Sequence, residues 1–393
     1  SRDRSSGACS RLALPPGPAD TFSHTGSVPV RPHPLRPRHT LGALLLLVVL
    51  AGGCGGGPPV ADRQTRLDRA AAYSAEKAGD ALLVWIDGTR VLAAYQNGYP
   101  RGRPHALTEI SLLLPVLALL AEEGGARALD TPVSAHLPEW STAPEKADIT
   151  LSELLHLTSG LQPRGVGEGE VPTFEEALAA PLVHPPGASF RFGPTAVQVL
   201  GAVLERVGGT GSMQHALFRP LDIPGGRWSA VTAGTASAPG GRGLTPRLFD
   251  GAHLTPRELG RIGRLLLNDG RWNGEPMIEN VDRLTEPTPA SPGFGLGVWL
   301  NADLRSEEPA GPGPSFRKRV PERILLPRGQ DRLIYDGAPA DLFMAAGRYN
   351  QRLYVLPSRR MVVVRLGRAD RTWSDVAFLA RLLGGEPRRE QSR

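Results

Sequence analysis

The two ends of the chain read as strands and its middle reads as helices, and this arrangement restricts the fold more than any single motif. Near one end, ALLVWIDGTRVLAAY (81–95) sets two apolar runs around Asp87-Gly88. An Asp-Gly pair between such runs is a strong hairpin signal. Near the other end, strand patterns return in GFGLGVWL (293–300), QRLYVLP (351–357) and RMVVVRL (360–366). Between them, 111–123, 150–157, 195–206 and 255–268 repeat apolar residues at three-four spacing, as helices with one buried face do. QTRLDRAAAYSAEKA (64–78) and TWSDVAFLARLL (372–383) read as terminal helices. The expected fold class is α+β, an α/β sandwich. Its antiparallel sheet is built from both chain ends, flanked by terminal helices, with an inserted all-helical lobe. The sheet lobe is expected over about 64–106 and 290–386, and the helical lobe over about 107–289. Residues 303–338, rich in Pro, Gly and charge, read as a long surface insertion, and 387–393 as a disordered tail.

Charge excludes one class of partner. The 393 residues carry a net +6, but residues 1–40 hold six Arg and only two Asp, so most of that charge sits in one terminal segment. Lysine occurs only at Lys77, Lys146 and Lys318, which reads as a coding bias toward arginine. The rest is near neutral and lacks a basic stripe with interleaved aromatics to follow a phosphate backbone, so nucleic-acid binding is not expected.

The N-terminal region carries an export pattern. RPRHT provides positive charge, LGALLLLVVLA (41–51) an apolar run, and LAGGC ends it at Cys54. The run is shorter than the roughly 20 residues that span a bilayer. It resembles a bacterial lipoprotein signal, in which the cysteine is lipidated and becomes the first mature residue; a plain secretory peptide with an incidental Cys54 is the alternative. Residues 1–53 are then a signal segment. Within it, 1–27, rich in Pro, Ser and Arg, reads as translated upstream sequence. CGGGPPVADR supplies a flexible tether over 54–63. The expected location is the cell envelope, membrane-anchored through Cys54 at its periplasmic or extracellular face. Cys9 and Cys54 are the only cysteines, so a disulfide or thiolate metal site within the mature chain is not expected.

LDTPVSAHLPEW (129–140) followed by ITLSELLHLTSGL (149–161) is similar to a stretch of the serine β-lactamase and penicillin-binding-protein superfamily, in its class C and esterase-like branch. PPGASFRFGPTAVQVLGAVLERVGG (185–209), GAHLTPRELGRIGRLLLNDGRWNGEPMI (251–278) and QRLYVLPSRRMVVVRLG (351–367) continue the resemblance in order. It runs from about residue 66 to 384 and implies a β-lactamase/transpeptidase-like fold.

The resemblance also implies where the chemistry should be. The family attacks a carbonyl with a serine whose proton is taken by a lysine one helical turn later. Counting back from AEEG (121–124), the serine position falls on Leu107 and the lysine position on Ile110. The family's proton-shuttling tyrosine matches Phe192, followed by Gly193 and Pro194. The Lys/His-Thr-Gly stretch beside the cleft matches Ala345, Ala346 and Gly347. Each reactive group is replaced by hydrocarbon. Removing one member of such a unit can lower turnover about a million-fold. The expected function is that of an exported, catalytically degenerate binding protein of the cell envelope, a monomer taking a small-molecule, peptide or peptidoglycan-like ligand. An active hydrolase with Thr108 or Ser111 recruited as nucleophile is the alternative. No cofactor or metal is expected.

Other reactive residues have plainer readings. His156 and Ser159 in LHLTSG read as core or capping groups. His105 and Glu109, four apart, would suit a helical metal face but lack a second cluster. Glu122 and Glu123 read as a solvated helix end, and GGTGS (208–212) as a turn without the lysine of a phosphate loop. Pro115 should kink or delay any helix that starts near Thr108.

Overall fold

A computed structural model describes residues 62–122, 127–164, 171–209, 211–224, 227–231, 245–303 and 331–385. The signal segment, Cys54, the tether to residue 61, Glu123, residues 304–330 of the insertion and the 387–393 tail lie outside the described residues.

Asp62 starts the described chain as a cap, its carboxylate accepting from the Thr65 N–H at 2.9 Å. Helix α1 (Arg63–Glu76) therefore takes in Arg63, which the sequence placed in the tether. The hairpin follows as β1 (Gly79–Ile86) and β2 (Thr89–Tyr95). Its corner residues Asp87 and Gly88 both have positive φ, the backbone a tight two-residue turn requires. After a short β3 (His105–Ala106) the inserted lobe contributes α2 (Leu113–Ala121), α3 (Leu151–Leu155), α4 (Pro194–Val207), β4 (Arg227–Trp228), β5 (Ala252–Leu254) and α5 (Pro256–Leu267). The lobe is thus helical apart from short pairings, chiefly the three-stranded sheet β3-β5-β4. The chain returns as β6 (Trp299–Leu300), β7 (Phe343–Gly347), β8 (Gln351–Leu356) and β9 (Met361–Gly367), and closes with α6 (Asp375–Leu383).

The main sheet has the order β2-β1-β9-β8-β7-β6, with every neighbouring pair antiparallel. The two chain ends meet in the β1–β9 ladder, where Leu83 stands opposite Val364 and Trp85 opposite Val362. Alternation along the strands assigns the two faces. Trp85, Leu353 and Val362 face α5, which comes close because it carries glycine there. A β-carbon on Gly260 would stand 2.2 Å from the Trp85 ring, and one on Gly263 2.5 Å from Val362.

The opposite face carries charge. Arg352 and Arg365 sit opposite each other on β8 and β9 and are fully buried beneath α6. Asp375, in the first turn of α6, accepts from Arg352 Nε at 2.8 Å and Nη2 at 3.0 Å, and also from the Tyr354 hydroxyl. Arg365 donates to the carbonyls of Tyr349, Asn350 and Lys77, and its guanidinium lies 4.5 Å from the Trp373 ring centroid. Burial pulls the Arg365 guanidinium down to about 10.

Three expected elements change. The helix over 111–123 starts as a 3-10 turn (Thr108–Leu112) and becomes α-helical only at Leu113. Pro115 then falls in the first α-turn, where its missing N–H has no bond to lose. Of 293–300 only Trp299–Leu300 is strand, because Gly297 at φ +80 and a Gly295 N–H bond to the Val298 carbonyl turn the chain first. The surface insertion over 303–338 is corrected at its end, where Leu333, Ile334 and Tyr335 are buried. The buried Asn301 side chain holds them, accepting from the Ile334 and Tyr335 N–H groups and donating to the Tyr335 and Pro339 carbonyls.

Candidate functional site

The segment that should carry the nucleophile is fixed by its backbone. β3 pairs with β5, and the ladder continues as the Leu107 N–H donates to the Ala252 carbonyl at 2.9 Å. The chain turns sharply at Thr108, whose φ of +51 is unusual for a β-branched residue. Its hydroxyl donates to the carbonyls of Leu107 at 2.7 Å and Arg348 at 3.3 Å. The Ser111 hydroxyl donates to the Thr108 carbonyl at 2.5 Å and accepts from the Ala252 N–H at 3.0 Å. Leu107, Ile110 and Ser111 are fully buried and Thr108 nearly so. Both hydroxyls hold the turn together, and neither hydrogen bond partner set includes an imidazole, amine or carboxylate.

β7 forms the adjoining wall. Ala345 and Ala346 are buried, and Gly347 lies against the turn: a β-carbon there would stand 2.1 Å from Thr108 Oγ1 and 2.9 Å from the Leu107 carbonyl oxygen. The next residue anchors a charged chain. The Arg348 N–H donates to Glu109 Oε2 at 2.7 Å, and Arg348 Nε lies 3.1 Å from Glu109 Oε1. Arg348 Nη2 donates to Asp250 Oδ2 at 2.7 Å, and Arg247 grips the same carboxylate through two bonds of 2.9 Å. The Glu109 and Asp250 side chains are only 2% and 4% exposed. Two carboxylates and two guanidinium groups thus neutralise one another at the head of α2.

Phe192 occupies a third wall. Its ring meets Phe249 at 5.3 Å and Trp299 at 5.7 Å, and Phe190 and Phe294 complete the cluster. Gly193 and Pro194 open α4, with Pro194 in the first turn, a position proline favours. Phe249 precedes Asp250, and Trp299 pairs with Met344 of β7. The structure therefore brings Gly347 directly onto Leu107 and Thr108, and joins Phe192 to that wall through Phe249 and Trp299.

A match to the β-lactamase family model covers residues 67–383. The chain belongs to the β-lactamase family. Solved structures of the same fold include EstCE1, described as a hydrolase with promiscuous acyltransferase activity. It is 19% identical, with 81% of this chain and 98% of that one covered at a TM-score of 0.58. A class C β-lactamase from Rhodobacter sphaeroides is 18% identical, with coverage of 80% and 98% and a TM-score of 0.55. A penicillin-binding-protein homolog from Caulobacter crescentus is 17% identical, with coverage of 80% and 96% and a TM-score of 0.55. No curated protein matches the sequence.

Within this β-lactamase-family chain the remaining candidates fall into structural places. His156 bonds the Ser152 and Glu286 carbonyls at 2.9 and 3.0 Å, tying α3 to a distant loop. Ser159 is buried in the turn after α3. Glu122 accepts from the Ser212 hydroxyl at 2.8 Å, so it ties α2 to the turn after α4 instead of only meeting solvent. His105 and Glu109 are not partners: His105 faces Asp80, and Glu109 faces Arg348. Among the described residues no group of three or more His, Cys, Asp or Glu is placed to hold a metal ion, and no helix is long and apolar enough to cross a membrane. The Glu109–Arg348–Asp250–Arg247 chain is absent from the sequence reading. Its members lie far apart in sequence, and no spacing signals them.

Proposed function

We propose that this chain is a catalytically silent member of the β-lactamase family, exported and held at the cell envelope by a lipid on Cys54, where it binds a small-molecule or peptidoglycan-like ligand without cleaving it. The observation that carries this reading is the burial of Leu107, Ile110 and Phe192 where the resemblance calls for serine, lysine and tyrosine. Acyl transfer from a hydroxyl needs a base to take its proton. Among the described residues no base is hydrogen-bonded to the Thr108 or Ser111 hydroxyl, and Glu109 is bonded to Arg348.

One observation favours the alternative hydrolase. Thr108 holds a left-handed backbone at the head of the helix, and strained backbone gathers at functional sites. Its hydroxyl, however, points at two carbonyls that can only accept.

Labelling separates the two. The full chain is treated with a fluorescent penicillin and a fluorophosphonate, and assayed with nitrocefin and p-nitrophenyl acetate. The expected result is no covalent adduct and no turnover above buffer. An adduct that disappears in Thr108→Ala or Ser111→Ala overturns the silent reading. Anchoring is read separately, by incorporation of labelled palmitate in a bacterial host and its loss in Cys54→Ala.

A further inference from the structure

A cavity of about 460 Å³ opens between the 97–106 segment, His253 of β5 and Arg368 just beyond β9. None of the family-site positions Leu107, Ile110, Phe192 or Gly347 lines it. Among the described residues its one carboxylate is Asp80. The β1–β9 register shifts between Gly79 and Ala81, leaving Asp80 without a strand partner, and a residue at such an irregularity can turn its side chain off the sheet. The carboxylate then has two nitrogen partners: His105 Nε2 lies 3.3 Å from Oδ2, and Arg368 Nε lies 3.3 Å from Oδ1. His105 Nδ1 is 2.9 Å from the Ala106 carbonyl oxygen.

The donors around this cavity exceed what Asp80 takes up. The Arg103 guanidinium has no acceptor among the described residues, and the outer nitrogens of Arg368 carry none either. His253 also lines the cavity, its Nδ1 lying 3.0 Å from the Gly251 carbonyl oxygen. Tyr99 adds no negative charge: burial pushes its hydroxyl up to about 12, and it donates to the Arg103 carbonyl at 2.7 Å. A cation would meet only a carboxylate already taken. An anion would meet planar forks made for two-oxygen acceptors.

We infer that this cavity binds the oxyanion group of a small molecule, a carboxylate or a phosphate, between Arg103 and Arg368. The volume is that of a small-ligand pocket. The site stands whether or not the family chemistry survives, since it shares no residue with it.

The test uses the full chain with ¹³C-labelled histidine rings at constant ionic strength. Inorganic phosphate and succinate are titrated separately, with chloride as the control for screening. The expected result is a saturable shift of the His105 and His253 ring signals with at least one of the two. Arg103→Ala and Arg368→Ala each weaken it about tenfold or more, the loss of one charge-assisted fork. Arg103 is exposed and the Arg368 side chain is 64% exposed, so both variants keep the fold. Arg206→Ala, which breaks an ion pair with Glu139 elsewhere, leaves binding unchanged. Saturation by phosphate alone assigns a phosphate-bearing ligand, and by succinate alone a carboxylate. Failure of both anions to saturate overturns the site, as does native affinity in Arg103→Ala.

Discussion

Gly347 approaches Thr108 so closely that any larger residue would place its β-carbon 2.1 Å from the threonine hydroxyl. Two of the three nearest atoms belong to backbone, of Leu107 and Glu109, and cannot rotate away. Gly347→Ala should therefore force β7 from the head of α2 and destabilise by about 1–3 kcal/mol, as overpacking does. Thr108→Gly removes the hydroxyl and lets the same left-handed backbone form without β-branched strain. Combined with Gly347→Ala it should recover a large part of the loss. Urea midpoints of the two single variants and the double variant check this, and strict additivity would contradict it.

The buried charges beside that contact are unequal. Asp250 takes bonds from both Arg247 and Arg348, so Asp250→Asn should be the more damaging substitution. Removing one partner of a buried ion pair costs about 3–5 kcal/mol because the other charge stays behind. Glu109→Gln keeps an oxygen for the Arg348 N–H and should cost less. Thermal melts of both variants give the order.

Acid should unfold the sheet through Asp375. Burial pushes its carboxyl up, but Arg352 and the hydrogen bonds from Arg352 and Tyr354 outweigh burial and hold it below the ordinary carboxylate value. A carboxyl depressed on folding contributes its full stability above the unfolded value of about 4, and loses it as pH falls through the folded one. The urea midpoint should be flat near neutrality and drop on acidification below about pH 4. In Asp375→Asn that drop should shrink, while stability at pH 7 falls by about 3–5 kcal/mol.

Restoring a single hydroxyl should not restore chemistry. Leu107→Ser leaves a void in a fully buried position and should cost about 2–5 kcal/mol, the range for deleting a core leucine. Hydrolysis of p-nitrophenyl acetate should stay at the buffer rate, because Ile110 stands where the resemblance calls for the base and is buried. A measurable burst would show that a base adjoins the new oxygen.

Local patterns were legible in the sequence and long-range ones were not. The Asp87-Gly88 corner and the helical spacing over 150–157 and 195–206 each announce themselves within a few residues. β7 does not, since Phe-Met-Ala-Ala-Gly has little strand character and is extended because β8 and β6 pair on either side. The end of the insertion looked like surface from its composition, yet Asn301, some thirty residues earlier, satisfies its backbone and lets it sink. The hydrocarbon at 107, 110 and 192 was visible directly. The ion-pair chain beside it arises only when residues 109, 247, 250 and 348 meet in space.

Because β1 is flanked by β2 and β9 alone, the first long strand waits for the last one before its second edge is covered. A nascent chain has no route to a closed sheet until synthesis passes residue 367, so the whole inserted lobe must emerge first. Any fragment ending short of Met361 would carry an open apolar ribbon, and would associate with its neighbours instead of standing alone.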